Sequence, residues 1–62
     1  MIKPRVGDTW KCITGPTVIV EGYLLSGNIT PDIYFRYNSG PANGCLYHLP
    51  ESEFLQVFKL LP

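Results

Sequence analysis

Apolar and polar residues alternate in short runs along this chain, and glycine or proline interrupts the runs every few positions. Alternation with a period of two is typical of strands that bury one face, and Gly and Pro favour turns between them. The pattern therefore predicts four strands in the first fifty residues, at residues 9–13, 18–25, 32–37 and 45–49.

The second predicted strand has the clearest pattern, because Val18, Ile19 and Val20 are β-branched and suit a pleated surface. Alternation divides it into an inner face with Val18, Val20, Gly22 and Leu24 and an outer face with Ile19, Glu21, Tyr23 and Leu25. Gly22 inside a strand also predicts a bulge or a sharp bend.

The pattern changes at Pro50, which suits the start of a helix, as Glu51 and Glu53 suit its positive end. We predict one short helical turn, with Phe54 and Leu55 covering one end of the fold, and a last strand at residues 56–61. The alternative is one amphipathic helix from residue 50 to about residue 60, with an apolar stripe at helical spacing.

These elements predict one all-β domain over residues 1–62, a small five-stranded antiparallel barrel with a short helical turn before the last strand. The predicted inner set is apolar and contains Trp10, Val18, Val20, Leu24, Ile33 and Phe35. Ile33, Phe35 and Tyr37 face inward from the third strand, and Tyr34 and Arg36 face outward.

Three short motifs stand out: Gly7-Asp8-Thr9-Trp10 at the start, Phe35-Arg36-Tyr37 in the third strand and the segment from Pro50 to Phe54. They resemble those of small uncharacterised bacterial and bacteriophage domains with a Src-homology-3-like barrel. The resemblance implies the SH3-like fold and an accessory role in a phage or mobile element, and it implies no reaction.

A second set of short segments carries a more distant resemblance: Gly7-Asp8, Val20-Glu21-Gly22-Tyr23, Thr30-Pro31, Tyr47 and Pro50. These segments resemble the plasmid-borne type II dihydrofolate reductase, a barrel that forms a tetramer around a central pore. That enzyme lines its pore with Val-Gln-Ile-Tyr, whereas this chain has Cys45-Leu46-Tyr47-His48-Leu49 there, without Gln. The activity is therefore not carried over, although the comparison suggests that such a barrel can build a site between subunits.

The charge balance counts against nucleic acid as a partner, because five Lys and Arg residues offset five Asp and Glu residues. Proteins that bind nucleic acid through phosphates normally carry a basic surplus, although charge can still be concentrated on one face. Zero net charge also removes a barrier to self-association. The start of the chain lacks the apolar segment of a signal peptide, and no stretch has the length of a membrane span. We expect a cytoplasmic protein, in the host cytoplasm if phage-encoded.

Metal binding and cofactors are not expected. His48 is the only histidine, and a zinc site would need three or four ligands at spacings that this chain does not have. Cys12 and Cys45 are interpreted as reduced, buried thiols, with one disulfide as the alternative. His48 is expected to have a structural or interface role.

Catalysis is not expected either, because the serines lie in turn or cap contexts and no phosphate-binding glycine loop is present. The chain is therefore predicted not to be an enzyme.

One outward-facing set is rich in residues that dominate binding interfaces, since Tyr and Arg are enriched at hot spots. The candidate binding residues are Ile19, Glu21, Tyr23, Leu25, Tyr34, Arg36 and His48, with His48 included if it faces outward. The alternative is that these residues are ordinary cross-strand pairs, with Glu21 and Arg36 forming an ion pair on a solvated face.

The leading hypothesis is a non-catalytic interaction module that forms a homo-oligomer and binds a host or phage protein. A second is a small-molecule or nucleotide binder with a pocket between subunits. A third is a nucleic-acid-binding barrel, for which Lys3, Arg5, Lys11, Arg36 and Lys59 would have to supply the basic face.

Overall fold

The computed structural model describes residues 3–24 and 31–61. Their elements, in chain order, are β1 (Thr9–Cys12), β2 (Thr17–Leu24), β3 (Asp32–Tyr37), β4 (Leu46–Pro50), α1 (Glu51–Val57) and β5 (Phe58–Leu60). The predicted all-β fold with one short helix before the last strand is confirmed. None of the described helices has the length and apolar character needed to cross a membrane.

The five strands form one antiparallel sheet in the order β4-β3-β2-β1-β5. Within the described residues no ladder joins β4 to β5, so these two strands are the edges of an open sheet. The expected closure into a barrel is therefore not seen. The reason lies partly in β5, which has only three residues and follows directly on α1.

The core lies between one face of the sheet, the inner face, and helix α1. Phe35 is its centre, because its ring contacts Phe54 of α1 and Phe58 of β5 with centroid distances of 5.4 and 5.1 Å. The buried apolar side chains of the described strands and helix form one cluster: Trp10, Cys12, Val18, Val20, Ile33, Phe35, Phe54 and Phe58. Five of the six residues of the predicted inner set are among them.

The exception is Leu24, and its position follows from a bulge in β2. The register between β2 and β3 shifts between Val20 and Gly22, which leaves Glu21 as an extra residue. One inserted residue exchanges the two faces for the rest of a strand. Leu24 therefore pairs with Asp32 on the outer side and is 40% exposed, while Tyr23 pairs with the buried Ile33.

Three predictions are thus wrong, Gly22 and Leu24 as inner residues and Tyr23 as an outer one, although the bulge beside Gly22 is itself confirmed. The Tyr23 hydroxyl donates a hydrogen bond to the Pro4 carbonyl. Leu25, the remaining candidate on this strand, lies outside the described residues.

The helical segment is longer than the single turn predicted, with seven residues, and it ends where Phe58 becomes extended. The Phe58 N–H closes the helix by donating to the Phe54 carbonyl. Phe54 is completely buried and Leu55 packs on the core, as predicted. The alternative of one helix to about residue 60 is wrong, because residues 58–60 pair with β1.

The turn before β4 depends on Gly44, whose φ of 90° lies in the region that favours glycine. The Gly44 N–H donates to the Tyr37 carbonyl at 2.7 Å, and the Tyr37 N–H donates to the Cys45 carbonyl at 3.0 Å. Gly44 and Cys45 on one strand thus lie opposite the single residue Tyr37 on the other, which is the pattern of a glycine bulge. Strand β4 begins one residue later than predicted.

Both cysteines are free, but only Cys12 is buried, and the interpretation of Cys45 as a buried thiol is wrong. Cys45 is exposed because it directly follows the glycine bulge at the edge of the sheet.

Candidate interaction surface

The side of the sheet opposite α1 presents a mixed aromatic, charged and apolar surface. We call it the outer face and define it by six residues of β2, β3 and β4: Ile19, Glu21, Tyr34, Arg36, Leu46 and His48. Cross-strand partners share a face, so the pairs of Arg36 with Ile19 and Leu46, and of Tyr34 with His48, bring these side chains together.

Tyr34 and His48 form the aromatic centre of the outer face. Their rings stack with a centroid distance of 5.3 Å and an interplanar angle of 25°. The His48 Nδ1 lies 3.0 Å from Oδ2 of Asp32, which is two residues before Tyr34 on β3. The carboxylate and the tyrosine ring therefore fix the orientation of the imidazole.

Asp32 is the one buried charged residue of the described chain, at 9% exposed. The burial of a carboxylate is unfavourable unless hydrogen bonds compensate, and His48 supplies one. With Nδ1 donating to Asp32, the neutral His48 ring presents Nε2 as an acceptor, and the protonated ring presents it as a second donor. Because the His48 side chain is 55% exposed, a partner can reach this nitrogen.

Arg36 supplies the positive charge of the outer face. Its Nε lies 3.7 Å from Oε2 of Glu21, and its Nη1 donates to the Gly44 carbonyl at 3.3 Å. Both charged side chains are more than a third exposed, so the ion pair contributes at most about 1 kcal/mol. A guanidinium has five N–H donors, and these two contacts leave most of them for a partner.

Ile19 and Leu46 add apolar surface on either side of Arg36. Leu46 is 48% exposed and Ile19 is half-buried. Apolar contact area beside a few fixed polar groups is typical of protein recognition surfaces.

The structure brings five of the seven predicted binding residues into the outer face. Tyr23 is excluded by the bulge, and Leu25 lies outside the described residues. The predicted ion pair of Glu21 with Arg36 forms, and His48 faces outward. Sequence reasoning missed Leu46 and Asp32, although the period of two places Asp32 on the same side as Tyr34 and Arg36.

Tyr37 lies on the inner side of the sheet, and its surroundings perturb its ionisation. Burial raises its pKa above the usual 10.0, and the nearby Cys12 and Tyr47 add to the increase. Its ring packs against those of Phe35 and Tyr47 at 5.8 and 5.5 Å. Tyr37 is therefore a core residue rather than a reactive group.

Away from the outer face, an open groove of about 410 Å³ lies at the β1–β5 end of the sheet. Its lining combines apolar side chains with two amines: Lys11, Cys12, Ile13, Lys59 and Leu61. The described residues contain no cluster of three potential metal ligands.

Comparison of this chain with models of known protein families, with curated proteins and with solved structures finds no match.

Proposed function

We propose that this protein is a small non-catalytic interaction module that self-associates and binds a protein partner through the outer face. The observation that carries the proposal is the pair of Tyr34 and His48, fixed by the nearly buried Asp32 yet open to solvent on one side. A side chain that is held in place before binding loses little entropy when a partner contacts it.

The composition of the outer face also supports protein binding over a solvated surface. Tyr and Arg are enriched among residues that dominate binding energy, and Leu46 leaves apolar area beside them. We place this function in the cytoplasm. The proposed phage or mobile-element origin rests on the sequence resemblance.

Affinity capture from a bacterial host lysate tests the proposal with one double variant and one matched control. In Tyr34→Ala/Arg36→Ala both central side chains are removed, and we expect at least about a ten-fold loss of the captured protein. In Lys11→Ala/Lys59→Ala two exposed lysines at the β1–β5 end are removed, and capture is expected to persist. Equal capture by the double variant and the wild type would contradict the proposal.

A second candidate, a nucleotide or other small aromatic anion, is favoured by one observation: the stacked rings of Tyr34 and His48 lie on the same face as Arg36. Aromatic rings stack on bases and Arg binds phosphate. Titration with ATP, GTP and dihydrofolate, followed by tyrosine fluorescence, tests it. The expected result is saturable quenching that Arg36→Ala weakens, and the absence of quenching would contradict it.

A further inference from the structure

Strand β4 is an edge of the sheet, and its outward backbone groups have no partner among residues 3–24 and 31–61. Tyr37 and Cys45 are hydrogen-bonded at one end of the β3–β4 ladder, and the Glu51 N–H donates to the Pro31 carbonyl at the other. Hydrogen-bonded pairs alternate in an antiparallel ladder, so Tyr47 and Leu49 bond to β3 between these points. The N–H and C=O groups of Leu46 and His48 therefore point away from the sheet.

The opposite edge, β5, is protected in three ways. It has three residues, Lys59 lies at its centre, and the Phe58 N–H is already bonded to Phe54. By the same alternation, Leu60 is the one β5 residue whose N–H points outward without a partner among the described atoms. Short length and lysine are the usual protections of an edge strand, and β4 has neither.

We propose that a second copy of this chain adds to β4, so that the two β4 strands pair antiparallel across a two-fold axis. The segment from Cys45 to Pro50 contains no Asp, Glu, Lys or Arg, so like charges do not oppose its pairing with itself. A symmetric contact uses the same strand twice, as most homodimers do.

The register follows from the open backbone groups. When Leu46 lies opposite His48 of the second copy, the N–H of each residue donates to the C=O of the other. The two-fold axis generates this pair twice, which gives four hydrogen bonds. A shift toward Pro50 would place its nitrogen, which carries no hydrogen, opposite a Leu46 carbonyl. In the proposed register Tyr47 lies on the two-fold axis and meets its own copy.

Tyr47 also shows what the second copy would cover. Its ring packs on Tyr37 at 5.5 Å and on Phe35 at 6.4 Å. Even so, 50% of the residue stays exposed, because no described strand pairs with the free edge of β4. Aromatic residues directly opposite each other stabilise antiparallel pairs.

This inference rests on the self-association in the proposed function and names its site. It also extends that function, because pairing at β4 brings the two outer faces together at Leu46 and His48. A partner would then meet one continuous surface built from both subunits.

Sedimentation velocity on charge variants at Tyr47 tests the proposal. Wild type is expected to sediment as a dimer, whereas Tyr47→Lys and Tyr47→Glu are each expected to sediment as monomers because like charges meet on the axis. An equimolar mixture of the two variants is expected to recover the dimer, a gain that a merely unfolded variant could not give.

Each other outcome contradicts a different part of the account. If both single variants stay dimeric, or if their mixture stays monomeric, the β4 site is wrong. If the wild type is monomeric at high concentration, the proposal of self-association is wrong. The binding of a partner by the outer face is tested separately, by the capture experiment with the Tyr34 and Arg36 variants.

Disulfide formation provides a second measurement that reports the register. A non-hydrogen-bonded antiparallel pair has a Cα separation of about 4.5 Å, which is within the range of disulfides. In a Cys45→Ser background, Tyr47→Cys is expected to form a covalent dimer on mild oxidation, and Lys59→Cys on the other edge is expected not to. Equal cross-linking of the two variants, or none at position 47, would overturn the register.

Discussion

The two faces of this sheet differ in burial although they are built from alternate residues of the same strands. On the inner face, Val18, Ile33 and Phe35 are at most 2% exposed and belong to one core cluster with Phe54 of α1 and Phe58 of β5. On the outer face, Arg36 and His48 keep about half of their side-chain surface in water. Stability is thus concentrated on one side of the sheet, which leaves the other side free for recognition.

The largest predicted effect is on the inner face, at Phe54. Its ring is fully buried and meets Phe58 at 4.6 Å and Trp10 at 5.2 Å. Phe54→Ala should lower the free energy of unfolding by about 3–5 kcal/mol, which is enough to unfold many domains of this size. Urea unfolding followed by circular dichroism measures it.

Leu46→Ala on the outer face is the matched control, and its expected cost is below about 1 kcal/mol because the side chain is half exposed. Similar losses at both positions would remove the distinction between the faces.

A smaller effect is expected at Gly44, which sets the start of β4 and therefore the residues that β4 presents to each face. Gly44→Ala should lower the free energy of unfolding by about 1–2 kcal/mol, because a Cβ is unfavourable at a φ of 90°. Gly22→Ala is the control. At both glycines no atom lies within 4 Å of the added Cβ, so the two substitutions differ in backbone conformation, because only Gly44 has a positive φ. A loss at Gly22 as large as that at Gly44 would contradict this explanation.

The next prediction concerns the pH dependence of the inner face. Because the pKa of Tyr37 is raised in the folded protein, its stabilising contribution is complete below the unfolded value of 10.0. As the pH rises above 10.0, the unfolded chain releases the proton first, and this contribution is lost. The stability of the wild type should therefore fall more steeply than that of Tyr37→Phe in alkaline urea titrations. Parallel curves would show that Tyr37 is not responsible.

The smallest effect is expected for the ion pair on the outer face. A double-mutant cycle with Glu21→Gln and Arg36→Gln should give a coupling energy of at most about 1 kcal/mol, and 0.5 M salt should reduce it, since both groups are exposed. A coupling that is larger and insensitive to salt would mean that the outer face also stabilises the fold.

The sequence predicted the structure accurately where the inward and outward residues of a strand alternate without interruption. Strand β3 matches its predicted bounds, and the alternation of Ile33 and Phe35 with Tyr34 and Arg36 is as expected. These positions are fixed by burial alone, and burial is what the pattern of apolar residues records.

The wrong predictions lie where a bulge changes which residues of a strand face the core. Gly22 indicated a bulge, but the sequence does not say which residue is extra, and the insertion of Glu21 reverses the faces of Tyr23 and Leu24. The contact of Asp32 with His48 was not predicted, because the two residues lie sixteen positions apart on neighbouring strands. Contacts of that kind depend on register, which a single sequence does not specify.

The central claim is that recognition occurs on the outer face, and amide chemical-shift mapping tests it most directly. The ¹⁵N-labelled protein would be titrated with the captured partner. The account predicts that the largest shifts occur at Ile19, Tyr34, Arg36, Leu46 and His48, and that the amides of α1 change little. Shifts concentrated on α1, or in the groove beside Lys11 and Lys59, with the outer face unchanged would contradict it.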